Sequence, residues 1–162
     1  MTATPAHAAM FLLPFVVPIC IYVAWSDMAT MKIPNIAVIA LAITFVIVGF
    51  FAFPFDAYLW RLSHLVVVLA IGIMANAAGF VGAGDAKFAA AAAPFVALAD
   101  LRFLILLFSA CLLAGFLGHR LAKFSPLRAI VPEWQSWKEK KHFPMGLPLA
   151  GTLLAYLGAS LA

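Results

Sequence analysis

The chain has 162 residues, of which 67% are hydrophobic and only 10% are charged. Soluble domains average about 45–50% apolar and about 25% charged residues, so a soluble chain of this size could not bury so much apolar surface. The composition therefore predicts a membrane protein in contact with the lipid bilayer. It also argues against nucleic acid as a partner, because the formal net charge of +4 is typical of basic cytoplasmic loops in membrane chains.

Six apolar segments follow one another along the chain, and a transmembrane helix needs roughly 20 such residues. They cover residues 8–25, 36–53, 62–80, 86–99, 103–121 and 146–161. The first basic residue, Lys32, follows the first segment, so we interpret that segment as a retained helix and not as a secretory signal. Because backbone polar groups in lipid must be satisfied internally, we predict an all-α integral membrane protein with six transmembrane helices in one domain, residues 1–162.

The connections between these segments predict the orientation in the membrane. Alternate connections face the same side, and residues 26–35, 81–87 and 119–144 form one such set. This set contains eight of the ten Lys and Arg residues, namely Lys32, Lys87, Arg120, Lys123, Arg128, Lys138, Lys140 and Lys141. The positive-inside rule places it in the cytoplasm and both chain ends on the outer side of the membrane.

Two acidic residues lie at the predicted cytoplasmic ends of apolar segments. Asp27 ends the first segment, and Asp85 begins the fourth. Charged side chains in a bilayer cost roughly 2.5–3.5 kcal/mol on insertion scales, so acids in such positions are functional candidates. We interpret the other four acids as solvated loop charges: Asp56, Asp100, Glu133 and Glu139.

Two carboxyl groups that share a cleft titrate as a pair, with one protonated and one charged. Such a pair can activate water against a peptide carbonyl and protonate the leaving amine. No Ser-His-Asp or Cys-His arrangement competes, and no cluster has zinc-ligand spacing, so we predict neither a catalytic metal nor a cofactor. Gly82 and Gly84 are expected to let the loop adopt unusual backbone angles and approach a substrate strand closely.

Three sequence motifs carry a family resemblance. GAGD at 82–85, with Lys87 after it, resembles the GxGD motif of membrane aspartic peptidases. SDMATMKIPN at 26–35 resembles the other half of the site in type IV prepilin peptidases, where an aspartate precedes a basic residue, an apolar residue, proline and Asn or Asp. FPMGLPLA at 143–150 resembles the entry to that family's last helix.

The resemblance implies an endopeptidase that removes the basic leader of prepilin or pseudopilin precursors at the cytoplasmic face, typically after a glycine. The catalytic pair would be Asp27 and Asp85. The active-site loop would contain Gly82, Gly84 and Lys87, and the first motif would be supported by Lys32, Pro34 and Asn35.

The hinge at 26–35 is much shorter than in the larger prepilin peptidases, which carry a cytoplasmic segment there, often with CxxC zinc motifs, and also N-methylate the product. Its shortness resembles the small peptidases of tight-adherence (Flp-type) pili and implies cleavage without methylation. An archaeal preflagellin-type relative is an alternative that the six short spans and the small loop disfavour.

Other functions fit parts of the pattern. Paired membrane acids also serve proton-coupled transport subunits, and the chain could be a pilus-assembly subunit without peptidase activity or a presenilin-like protease. Residues 119–144 mix basic residues with Trp134 and Trp137, which is typical of an anchor for anionic headgroups. A docking surface for prepilins is the alternative, which the basic leader of such substrates disfavours.

Overall fold

A computed structural model describes residues 2–139 and 142–162, and of Leu127 it describes the backbone. It contains six α-helices: α1 (Ala6–Thr30), α2 (Asn35–Ala52), α3 (Phe55–Ala77), α4 (Ala83–Ala92), α5 (Leu101–Lys123) and α6 (Gly146–Ala159). The described residues include no strand, which confirms the all-α prediction. Lys140 and Lys141, which contribute to the charge count of the connection before α6, lie outside the described residues.

Four of these helices, α1, α2, α3 and α5, are long and apolar enough to cross a membrane. Many of their large apolar side chains face outward, such as Phe51, Met74 and Leu106, as expected for a multi-pass protein with lipid as its solvent. The helix α6 is apolar but has only 14 residues. Each of the six predicted segments contains a helix, but only these four reach the length of a span.

The fourth predicted segment, residues 86–99, is not one continuous helix. The helix α4 has ten residues and leads into two short 3₁₀ turns, Ala93–Phe95 and Leu98–Asp100. Pro94 lies in the first of these turns. A proline removes one backbone donor and its ring clashes with the preceding helical turn, which explains the end of α4 at this point.

The helix α3 begins at Phe55, before the predicted segment 62–80, so the prediction that residues 54–61 merely connect two apolar segments is wrong. Pro54 precedes the first helical residue, and its carbonyl accepts the Tyr58 N–H at 2.8 Å. The Tyr58 ring stacks on Phe45 of α2, with ring centroids 5.8 Å apart. Burial of this aromatic pair stabilises a first turn that hydropathy alone assigns to the membrane surface.

The helix α1 packs against both α2 and α6, and α3 packs against α4. Since the start of α1 lies beside the end of α6, and Asp27 lies beside Gly146 at the start of α6, these two helices are antiparallel. Their buried side chains form most of the core with those of α2: Leu12, Val16, Val23, Leu41, Phe45, Tyr156 and Leu157.

A buried polar cluster, here called the terminal clamp, joins Thr4, Arg61, Asp100 and Tyr156. Arg61 is only 6% exposed, and its guanidinium donates to Thr4 Oγ1 at 3.1 Å and to the Phe95 carbonyl at 3.2 Å. The Tyr156 hydroxyl donates to Asp100 Oδ2 at 2.6 Å. The interpretation of Asp100 as a solvated loop charge is therefore wrong. The clamp holds the start of α1 and the end of α6 at the same end of the bundle.

Candidate functional site

A cavity of about 1000 Å³ opens at the end of the bundle opposite the terminal clamp. It lies between the end of α1, the starts of α2, α4 and α6, and the last half of α3. Seven of the eight site residues predicted from the sequence line it: Asp27, Lys32, Asn35, Gly82, Gly84, Asp85 and Lys87. The structure thus brings both predicted motifs to one cavity. The eighth residue, Pro34, directly precedes α2 as its N-cap residue.

Asp27 lies in the last turn of α1 and is only 5% exposed. Its Oδ2 accepts the backbone N–H of Gly146 at 2.6 Å. Gly146 is the first residue of α6, so this N–H has no partner within its own helix and points toward an acceptor beyond the helix end. This hydrogen bond orients the Asp27 carboxylate toward the start of α6.

Gly146 is a residue that the sequence reasoning did not assign to the site. A Cβ at this position would lie 2.8 Å from Asp27 Cβ and 3.0 Å from Asp27 Oδ2, closer than side chains pack. The glycine is therefore required for the start of α6 to approach Asp27. The available signal in the sequence is its place in FPMGLPLA, the motif that resembles the entry to the family's last helix.

The first motif forms a compact turn at the end of α1. Met31 adopts the left-handed conformation, with φ of 56°, and its N–H donates to the Asp27 carbonyl at 2.9 Å. The Ser26 hydroxyl donates to the Lys32 carbonyl at 3.1 Å. These bonds reverse the chain within the four residues that separate α1 from α2, and they leave Lys32 exposed at the cavity.

Asp85 lies in the first turn of α4, and Gly82 is the residue before that helix. Gly82 has φ of −64° and ψ of 143°, which any residue adopts. Among the described residues, φ is positive only at Met31 and Gly79. The expectation that Gly82 and Gly84 adopt unusual backbone angles is therefore wrong.

Space explains Gly82 instead. A Cβ at Gly82 would lie 2.8 Å from Asp85 Oδ2, so a side chain there would displace the carboxylate. A Cβ at Gly84 would lie 3.4 Å from the Ile33 Cβ, which is close to an ordinary packing distance. Ile33 belongs to the first motif, so the two motifs lie against each other at Gly84.

The Asp85 carboxyl lies outside the four long helices, and its environment favours the protonated form. Burial, and to a smaller degree the negative charge of Asp27, raise the pKa of Asp85 to about 6. The influence of Asp27 indicates that the two carboxyl groups lie in the same part of the cavity.

Lys87 directly follows the buried Ala86 in α4, and its side chain is exposed at the cavity. Its Nζ donates to Asn35 Oδ1 at 3.2 Å. This bond joins the GxGD-like motif on α4 to the first residue of α2. The partner of Lys87 is therefore a neutral amide and not an acid.

The site combines two carboxyl groups with a wide opening and an apolar wall. Val68 and Ile71 of α3 and Phe108 of α5 form part of that wall. Over residues 2–139 and 142–162, no three His, Cys, Asp or Glu side chains are grouped closely enough to hold a metal ion. The arrangement suits acid–base chemistry on a polar bond next to an apolar segment.

Comparison with known proteins identifies the family. The sequence model of the Type IV leader peptidase family matches residues 14–119, a region that contains both Asp27 and Asp85. No curated protein and no solved structure matches the chain. The family match covers more than half of the sequence and implies a protease. The chain therefore belongs to the type IV leader peptidase family.

Proposed function

We propose that this protein is an aspartic endopeptidase that removes the basic leader of prepilin or pseudopilin precursors, with Asp27 and Asp85 as its catalytic pair. The observation that carries the proposal is that these two acids, from motifs far apart in sequence, line one cavity. Family membership supports the reaction class, and the geometry supports the choice of residues.

The hydrogen bonds suggest which acid has which role. Asp27 accepts the Gly146 N–H and is assigned as the ionised general base. Asp85, whose pKa is raised, is assigned as the protonated general acid. Asp27 takes a proton from a water molecule as the water oxygen bonds to the peptide carbonyl carbon. At the same time, Asp85 gives its proton to the carbonyl oxygen. When the tetrahedral intermediate collapses, the proton on Asp27 passes to the leaving amine and the hydroxyl proton returns to Asp85.

The apolar wall of the cavity suggests how a precursor is held. A prepilin leader is followed directly by an apolar helix, and Val68, Ile71 and Phe108 offer an apolar surface next to the two acids. We propose that the scissile bond lies over the acids, that the apolar segment contacts α3 and α5, and that the basic leader leaves through the open side. Lys32 and Lys87 at that opening disfavour tight retention of a basic leader.

The proposed location is the bacterial inner membrane, with the cavity facing the cytoplasm and both chain ends periplasmic. The distribution of basic residues supports this orientation. Only Met31–Pro34 separate α1 from α2, so that connection has no room for a methyltransferase segment. We therefore propose cleavage without methylation, as in the small peptidases of Flp-type pili.

The test is cleavage of a Flp-type prepilin by the purified full chain in detergent, followed by mass spectrometry of both products. Asp27→Asn and Asp85→Asn should each lower the rate by about 10²–10⁴-fold, the usual contribution of a general acid or base. Asp56→Asn is the matched control, because Asp56 is an exposed acid in the first turn of α3, and it should cleave normally. Normal cleavage by either folded catalytic variant would overturn the assignment and favour a transport or assembly role.

A further inference from the structure

A second cavity, of about 290 Å³, lies between the last turns of α5 and the connection that leads to α6. We call it the loop pocket. It is lined by His119, Arg120, Lys123, Ser136, Glu139 and His142, among others. It adjoins the catalytic cavity at His142 but contains neither aspartate of the proposed pair.

Two buried donors of the loop pocket have no hydrogen-bond partner within the described part of the chain. His119 is 8% exposed and Ser136 is 2% exposed, and the unpartnered atoms are His119 Nε2 and Ser136 Oγ. A buried polar group without a partner costs about 1–3 kcal/mol. Both side chains line the loop pocket, and because neither atom is itself open to solvent, a ligand must shift the pocket wall slightly to reach them.

The His119 ring packs against two aromatic side chains. It stacks on Trp137, with ring centroids 4.8 Å apart, and meets the edge of Phe143 at 5.7 Å. The Trp137 indole N–H in turn donates to the Val131 carbonyl at 2.8 Å. These contacts bury His119 in the wall of the loop pocket.

The charge of the loop pocket favours an anion. Arg120 and Lys123 contribute two fixed positive charges, and the Arg120 guanidinium lies over the Phe116 ring, 5.2 Å from its centroid. Glu139 contributes one negative charge and lies 3.8 Å from His142 Nδ1. The two positive charges outnumber this negative charge. They also offset the partial negative charge at the C-terminal end of α5.

The donor set fits a phosphate group better than a carboxylate. The pocket offers four kinds of donor: an imidazole, a hydroxyl, a guanidinium and an ammonium group. These donors come from two separate segments of the chain, so they can reach several oxygens of a tetrahedral anion. A basic and aromatic segment at the end of a membrane helix also lies at the depth of lipid headgroups.

We propose that the loop pocket is a binding site for one phosphate group, in which His119 and Ser136 donate hydrogen bonds and Arg120 and Lys123 supply positive charge. The phosphate belongs either to an anionic lipid headgroup or to a free phosphate ion. This site is independent of the proposed peptidase activity, so binding can be tested on inactive variants as well.

The test is isothermal titration calorimetry on the detergent-purified full chain. Inorganic phosphate and a short-chain phosphatidylglycerol below its micelle concentration are titrated separately. We expect one saturable site per chain for at least one of them. Binding of the lipid alone assigns the site to headgroups, and binding of inorganic phosphate assigns it to the free ion.

Ser136→Ala gives the sharpest variant, because it removes a hydroxyl that has no partner in the ligand-free protein. It should weaken binding about tenfold and leave the melting temperature unchanged or higher. Arg120→Gln should weaken binding to a similar degree. The matched control is Arg128→Gln, which removes an exposed positive charge of the same connection that does not line the pocket.

Two results would overturn the proposal. One is the absence of saturable binding of either phosphate compound by the wild-type chain. The other is an equal loss of affinity in Arg128→Gln and Arg120→Gln, which would indicate general attraction to a basic surface. If Arg120→Gln does not fold, unchanged binding by Ser136→Ala is sufficient to refute the site.

Discussion

Replacement of Gly146 by alanine tests the contact between α6 and Asp27. The added methyl group would lie 2.8 Å from Asp27 Cβ and 3.0 Å from its Oδ2. Because the backbone of both helices is fixed by packing, the carboxylate or the start of α6 must shift, and the 2.6 Å hydrogen bond to Asp27 lengthens or breaks.

The size of the effect follows from the cost of forcing a methyl group into filled space, about 1–3 kcal/mol. If this strain is relieved by displacing Asp27, it appears as a rate decrease of about 5- to 150-fold, since 1.36 kcal/mol is tenfold in rate. If α6 shifts instead, the strain appears as lower stability. We expect both effects, because the 2.8 Å contact is with Asp27 Cβ, which no side-chain rotation moves, so the start of α6 must shift and take its hydrogen-bond donor to Asp27 with it.

The assay combines initial rates of prepilin cleavage with thermal unfolding in the same detergent. The matched controls are Gly151→Ala and Gly158→Ala on the same helix, where an added Cβ meets nothing within 4 Å. These controls should cleave normally and gain about 0.5–1 kcal/mol of stability, as alanine does over glycine within a helix. A Gly146→Ala variant with wild-type rate and wild-type melting temperature would refute the positioning role.

Three further predictions concern pH, the terminal clamp and the link between the motifs. Because the pKa of Asp85 is raised, its contribution to stability is fully present below pH 3.8 and is lost as the pH rises through about 6. Asp85→Asn should therefore raise the melting temperature at pH 7 and change it little at pH 4. A lower melting temperature of this variant at pH 7 would contradict the prediction. Tyr156→Phe leaves the Ala97 N–H without its 3.1 Å acceptor and should lower the free energy of unfolding by about 1–3 kcal/mol. Cleavage per folded molecule should be unchanged in that variant because the clamp lies at the opposite end from the cavity, and a specific loss of activity would contradict this reasoning. In a double-mutant cycle of Lys87→Met and Asn35→Ala, unfolding should give a coupling energy of at least about 0.5 kcal/mol, and additive effects would show that the 3.2 Å bond contributes nothing.

The positions of the apolar helices were predictable because an apolar segment has few choices in lipid. Its backbone must satisfy its own hydrogen bonds, and helix is the solution that a single segment can form. The boundaries were less predictable, since hydropathy marks where lipid ends and not where a helix ends. Residues 54–61 contain polar and charged side chains, yet most of them extend α3 because Tyr58 packs on Phe45.

The surroundings of the charged residues were also not predictable from the sequence. The sequence marks Arg61 and Asp100 as polar residues between apolar segments, and solvated loops are the usual place for them. The structure gives both of them partners: Arg61 bonds the Phe95 carbonyl, and Asp100 accepts from Tyr156. These partners lie 34 and 56 residues away along the chain, so no local pattern could identify them.

In the candidate site, the two acids were recognisable from the sequence, because Asp27 and Asp85 are carboxylates at the ends of apolar segments within recognisable motifs. How these acids are held depends on contacts between distant parts of the chain. Gly146 lies 119 residues beyond Asp27, and its role depends on the antiparallel packing of α6 on α1. The need for glycine at positions 82 and 146 arises from the space beside a carboxylate, and that space exists only once the helices are packed.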